Sequence, residues 1–328
     1  MKLRLWIMAI MMSSTLLPSA LGQEHQWVDG KWVTVPSPVE GTPEGELAII
    51  RTQVHEGRYA QAVRSAKKFV RKYPHHEGAE EAHSLAGDGE FARRRYFQAF
   101  EWSEKQIDAF PTGAYLERAI QREFKVAQAF LEGKKRIILG FLPIPAREDG
   151  IEIFNRIIEH APASELSEQS MMKIADYRFQ TRKWDDAIAA YDRYLQSFGR
   201  AERAPYAMLQ AARACFNSYR GPNYEETPLL EAGQRYRMFA EQFPIRADRE
   251  NVPATIEHIR QLRAQKCFRT AKFYERVRRP VAARHYYQRV LDDFPDTDHH
   301  QDAELAIKRL TGSATDTPDR PADIEENE

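Results

Sequence analysis

The sequence predicts an all-α protein: a solenoid of about six helical hairpins, closed by a C-terminal capping helix. Three observations predict it. One short frame is written six times along the 328 residues, its apolar positions step by three and four, and each copy ends on proline or glycine. The frame runs from an aromatic residue to a small one three positions on, then through bulky positions to an aromatic–proline stop. The first copies read Tyr59, Ala62, Phe69, Tyr73-Pro74 and Tyr96, Ala99, Phe110-Pro111. The third reads Gly150, Phe154, Ile157, Pro162, with Arg147 in the aromatic place. The fourth reads Trp184, Ala187, Tyr191, Tyr194, Phe198, with Gly199 instead of proline. The last two are Ala232, Tyr236, Phe239, Phe243-Pro244 and Ala283, Tyr287, Val290, Phe294-Pro295. Such steps hold the side chains on one helix face, and proline or glycine then stops the helix.

Each frame is the second helix of a hairpin. First helices are expected near residues 44–55, 79–93, 116–136, 165–181, 204–219 and 255–278. An amphipathic helix at 300–310 has no partner after it, which suits a cap. Successive stops at 74, 111, 162, 199, 244 and 295 lie 37 to 51 residues apart. A bare tetratricopeptide unit is about 34 residues, so these repeats carry longer helices and insertions.

The ends have a different character. Lys2 and Arg4 precede an apolar run over 5–17, and Ala20 and Gly22 make an export-peptidase site before Gln23. Residues 1–22 therefore read as a signal peptide, and the run, interrupted by Ser13, Ser14 and Pro18, is short for a membrane span. The processed protein is expected to work outside the cytoplasm. Residues 23–43 hold Asp29-Gly30 between Trp27-Val28 and Trp32-Val33, a hairpin signal, followed by a Pro-rich linker. The repeats occupy 44–310. The tail, 311–328, has six acids against Arg320 and no aromatics, and is expected to be disordered.

Lys+Arg and Asp+Glu both number 48, so net charge offers no argument for nucleic acid as partner. Cys215 and Cys267 stand 29 and 28 residues before their repeats' prolines. In an oxidising compartment they are either a disulfide between stacked helices or two buried thiols. The most unusual local text is Lys134-Lys135-Arg136 running into the apolar stretch 137–145. Gly140, Pro143 and Pro145 argue against helix there, so an apolar loop is expected. It is either buried in the groove of the solenoid or in contact with a partner or membrane surface through Leu139, Phe141 and Leu142. No phosphate-cradling loop, nucleophile elbow or zinc motif is present, and the adjacent pairs His75-His76 and His299-His300 lack ligand spacing and are expected at exposed turns. The expectation is a non-enzyme without cofactor or metal.

The aromatic, alanine and closing proline of the frame resemble tetratricopeptide repeats. Residues 268–297, FRTAKFYERVRRPVAARHYYQRVLDDFPDT, with the lead-in IEHIRQLRAQK, resemble the last repeats of the BamD family. That family is the periplasmic component of the outer-membrane β-barrel assembly machine. The resemblance implies stacked repeats, no catalytic residues, the barrel-inserting component as partner, and an acylated N-terminal cysteine. Gln23 stands where that cysteine would be, so a non-lipidated variant is expected, with peripheral association with the outer membrane. The implied function is a non-catalytic periplasmic scaffold that binds proteins through its repeats. The other reading is a general exported adaptor in cell-envelope or division-site coordination. Arg260, Arg263, Lys266 and Arg269 are the candidate partner contacts, against solvated helix charge as the alternative.

Overall fold

A computed structural model of the chain describes residues 25–28, 31–34, 39 and 41–313. The expected signal peptide, and the acidic tail beyond Ser313, lie outside these residues. β1 (His25–Val28) and β2 (Lys31–Thr34) pair antiparallel with Trp27 opposite Trp32, the hairpin that Asp29-Gly30 predicts. Among the described residues everything else regular is helix, apart from one further hairpin. The chain forms two compact units that divide between Arg122 and Glu123.

The first unit holds α1 (Pro43–His55), α2 (Tyr59–Lys72), α3 (Ala79–Ala92) and α4 (Tyr96–Ala109), and the start of α5 (Leu116–Leu131). Thr42 caps α1, its hydroxyl accepting from Gly45 N–H at 3.1 Å. Consecutive helices pack on one another around Leu47, Ile50, Ala66, Phe69, Ala82 and Leu85. A buried arginine sits among the polar groups of this unit. Arg122, 3% exposed, donates to Asp88 Oδ1 at 2.9 Å, Ser103 Oγ at 2.9 Å, and the carbonyl and hydroxyl of Ser84 at 2.9 and 3.0 Å. A Cβ on Gly87 would lie 2.5 Å from that guanidinium, so the helix face is bare where the charge rests.

The second unit continues with α6 (Arg147–His160), α7 (Glu165–Gln180), α8 (Trp184–Phe198), α9 (Ala204–Ser218), α10 (Thr227–Gln242), α11 (Pro244–Arg249), α12 (Val252–Arg276), α13 (Pro280–Asp293) and α14 (His300–Ser313). From α6 on, each long helix packs against the next long one. The frame residues form the core: Tyr191 and Tyr194 in one cluster, Ala232, Tyr236 and Phe239 in the next, Ala283, Tyr287 and Val290 in the last. The small frame residues Ala62, Ala99, Gly150, Ala187, Ala232 and Ala283 are all buried. At Gly150 a Cβ would meet the Ala127 carbonyl oxygen at 2.9 Å, so α6 approaches α5 more closely than alanine permits.

Both ends of the frame have a repeated geometry. Tyr73, Phe110, Ala161, Phe243 and Phe294 cap their helices with φ between −144° and −130° and ψ between 51° and 65°. Each precedes a proline, whose ring disfavours helical backbone in the residue before it. The turn inside the hairpin is repeated too: Glu56-Gly57-Arg58, Arg93-Arg94-Arg95, Thr181-Arg182-Lys183 and Val277-Arg278-Arg279. Gly57, Arg94, Arg182 and Arg278 are left-handed, with φ of 72°, 60°, 58° and 56°. The third residue closes a Schellman cap, as where Arg58 N–H donates to Gln53 C=O at 2.8 Å and Arg279 N–H to Tyr274 C=O at 2.9 Å.

Four expectations are corrected. The helix expected over 116–136 ends at Leu131, because Gly133 (φ 95°) turns the chain out and Lys135–Ile138 is a strand. Pro244 stops α10 as expected, but a short helix not expected there follows at once: Pro244 is the first residue of α11, where a missing N–H costs nothing. The last helix runs to Ser313 rather than 310, so the first residues assigned to the disordered tail are helical. The fourth is the loop at 137–145, which is a β-hairpin.

Candidate interaction surfaces

α12 presents a buried stripe, Ile259, Ala264, Cys267, Phe268 and Ala271, to its neighbours. Off that stripe stand the four expected cations, and each has an intramolecular partner. Arg260 reaches Asp296 at 3.3 Å. Arg263 lies 3.5 Å from Glu226 and 5.3 Å from the Phe294 ring centroid. Lys266 donates to the carbonyls of Pro222, at 3.3 Å, and Tyr224, and Arg269 donates to Asn223 at 3.5 Å. Three of the four therefore clamp the loop between α9 and α10 onto α12, and neither a bare basic face nor purely solvated charge describes them.

Sequence reasoning missed a second feature on the same hairpin. Phe273, Val277 and Val281 are 48%, 45% and 60% exposed at the corner where α12 turns into α13. The Arg276 guanidinium lies over the Phe273 ring at 5.7 Å. The signal was present: Phe273 falls two residues after the buried Ala271, off the stripe that steps of three and four define. Its neighbour Tyr274 instead stacks on Tyr286, with centroids 5.4 Å apart.

The stretch 135–145 forms an antiparallel hairpin of β3 (Lys135–Ile138) and β4 (Leu142–Pro145), with Ile137 opposite Pro143. Burial in a groove, one of its two expected fates, does not occur: Leu139 and Phe141 are 82% and 76% exposed, and Ile137 and Leu142 are exposed too. The second unit also has an open cleft of about 630 Å³ between the start of α8 and the α9–α10 loop, lined by Arg182, Lys183, Trp184, Arg220, Tyr224 and Glu231.

Cys215 and Cys267 are two separate buried thiols. Burial pushes the Cys215 thiol up to about 11 and also raises Cys267, so neither is a ready nucleophile. The histidine pairs are less exposed than expected. His76 accepts from Gly78 N–H at 3.0 Å and faces Glu44 at 3.2 Å, and His299 stacks on Phe268 at 4.9 Å; of the four only His75 is fully exposed. No helix among the described residues is long and apolar enough to cross a membrane.

The model of the YfiO family, described as outer membrane lipoprotein, matches residues 147–313. No curated protein matches the chain. Among solved structures it is similar to a tetratricopeptide repeat protein from Parabacteroides merdae, at 13% identity, covering 82% of this chain and 98% of that one, with a TM-score of 0.34. It is also similar to PilW, a type IV pilus biogenesis factor, at 11% identity, covering 83% and 100%, with a TM-score of 0.28. Scores this low attach neither protein's biology to the chain.

Proposed function

The chain belongs to the YfiO family of outer membrane lipoproteins, and on that footing we propose that it is a non-catalytic, BamD-like scaffold of outer-membrane β-barrel assembly. It binds protein partners through its C-terminal repeats. The observation that carries this reading is the family match over 147–313, which runs from the start of α6 to the end of α14. The resemblance at 268–297 falls within that match, on the hairpin with the exposed apolar corner.

In this reading Phe273, Val277 and Val281 form the centre of the contact, and Arg260, Arg263, Lys266 and Arg269 form its charged margin. Apolar groups at the centre of an interface carry most of its energy, whereas rim charges chiefly set on-rate and salt dependence. The protein is exported, processed before Gln23, and held peripherally at the outer membrane. In this reading Gln23, the first residue after processing, stands where an acylated cysteine would be, and the proposed processed form is not lipidated there.

Crosslinking in the native envelope, followed by recovery of the barrel-inserting component, tests the assignment. Phe273→Ser/Val277→Ser/Val281→Ser, with helicity unchanged, should lower recovery at least about tenfold and raise unassembled outer-membrane proteins. Arg260→Glu should cause a smaller, salt-dependent loss. If the triple variant recovers the component as well as wild type does, the corner is not the contact. If wild type recovers none, the assembly role fails and a general envelope adaptor replaces it. An added diacylglyceryl mass on the processed protein would refute the non-lipidated state.

A further inference from the structure

We propose that the β3–β4 hairpin is a membrane wedge, which seats its apolar tip in a bilayer surface carrying anionic phospholipid headgroups. The proposal goes beyond the scaffold reading and does not depend on any protein partner. The hairpin lies just ahead of the family match, which begins at Arg147.

The tip is apolar all round. Leu139 and Phe141 project almost fully into solvent, and Ile137 and Leu142 flank them on the two strands, each 44% exposed. A docking site on a protein needs one apolar face, whereas a fluid acyl phase solvates every side of an inserted tip. The turn holds this arrangement open. Leu139 (φ 51°) and Gly140 (φ 79°) are both left-handed, and Phe141 N–H donates to Ile138 C=O at 3.3 Å, a type I′ turn. Asparagine or glycine would take the first turn position with less strain, yet it is occupied by an exposed leucine.

Charge lies at the base. Lys134 and Lys135 are exposed and have no ion pair among the described residues, and Arg147, just after β4, is exposed at the same end. Arg136, next to them, faces Asp149 at 3.7 Å. With a strand rise of ~3.4 Å per residue, Leu139 stands up to about 14 Å beyond Lys135. Amphipathic elements sink roughly 5–10 Å into the headgroup–acyl boundary. Leu139 and Phe141 would therefore reach acyl carbon while the two lysines stay level with the phosphates.

A protein strand is a poorer occupant of the β4 edge. Pro143 and Pro145 have no N–H to give, so the ladder to β3 must use Leu142 and Ile144. The outer edge of β4 is then without donors, and strand addition there would leave carbonyls unmatched.

Flotation of the processed chain, from Gln23 onward so that the apolar run over 5–17 is not present, with phosphatidylethanolamine–phosphatidylglycerol vesicles, and with phosphatidylcholine vesicles, tests the wedge. The chain should float with the anionic vesicles. Leu139→Ser/Phe141→Ser/Leu142→Ser should cut partitioning at least about tenfold, and Lys134→Glu/Lys135→Glu should abolish the preference for anionic lipid. A second readout is specific to the site. In the Phe141→Trp variant the added indole should shift its emission to the blue and be quenched by acyl-brominated lipid, over the background of Trp27, Trp32, Trp102 and Trp184. Undiminished flotation of the serine variant, together with no added quenching in the Phe141→Trp variant, would overturn the proposal. So would a serine variant that still binds vesicles but loses self-association in sedimentation, because a second copy would then be the occupant.

Discussion

Tyr287 shows how one frame residue serves two ends. Its ring is fully buried, 5.4 Å from Phe268, while its hydroxyl donates to Glu275 at 2.8 Å. Glu275 also accepts from Arg309 of α14 at 2.8 Å. Tyr287→Ala should cost about 3 kcal/mol in denaturant titration, as for emptying a buried aromatic site. Tyr287→Phe keeps the packing and leaves Glu275 its arginine, so it should cost only about 1 kcal/mol. Equal losses would show that the ring contributes little. His83 in the first unit makes a pH prediction. Burial lowers its pKa below the usual 6.5, and its Nδ1 lies 2.9 Å from the Ala79 carbonyl, with Trp102 and Phe110 edge-on to the ring. Lys105 lowers it further, while Glu80 and the Ala79 carbonyl act the other way. A depressed folded pKa means the unfolded chain binds the proton more tightly, so the contribution is present above 6.5 and is lost as pH falls below it. The midpoint of thermal unfolding of wild type should fall more steeply than that of His83→Phe between about pH 7.5 and 5.5. Parallel pH profiles would remove His83 as the cause.

At the scale of the element, the hairpin turn keeps its backbone geometry while its side chains change. Three of its left-handed positions hold arginine rather than glycine. Left-handed backbone costs an L residue roughly 1–2 kcal/mol, so Arg94→Gly, Arg182→Gly and Arg278→Gly should each raise stability by up to about 1 kcal/mol after glycine's own entropy. A loss in all three would mean that the side chains contribute more than the turn. The converse test is Gly150→Ala. Its new methyl must displace either the Ala127 carbonyl or Phe130, with no flexible side chain to yield, and should destabilise the second unit by about 1–3 kcal/mol.

Across the molecule, packing is local. Within each unit a helix touches its sequence neighbours, and α14 packs chiefly on α13. In such stacks stability is a sum of hairpin and neighbour terms, so opening begins where neighbours are fewest. Amide exchange should therefore be fastest in α14 and slowest in α8 and α9 within the second unit. Uniform protection from α6 to α14 would contradict that order.

By itself, the sequence determined the helical class, the hairpin repeat and the core, because steps of three and four and an aromatic–proline stop act within one turn of helix. Even Arg147, out of type in its frame, was placed at the head of its helix by the residues around it. The pairing of β1 with β2 was legible for the same local reason, the Asp-Gly signal in the sequence between Trp27-Val28 and Trp32-Val33. Only the tertiary structure decided where the polar and apolar outliers go. The frame does not specify that Arg122 is enclosed by Ser84, Asp88 and Ser103, which lie 19 to 38 residues away. Nor does it specify that the α12 cations are occupied by the α9–α10 loop, or that Leu139 and Phe141 face solvent. Those outcomes depend on which surfaces meet across distant segments, and that is settled by packing and desolvation rather than by spacing along one helix.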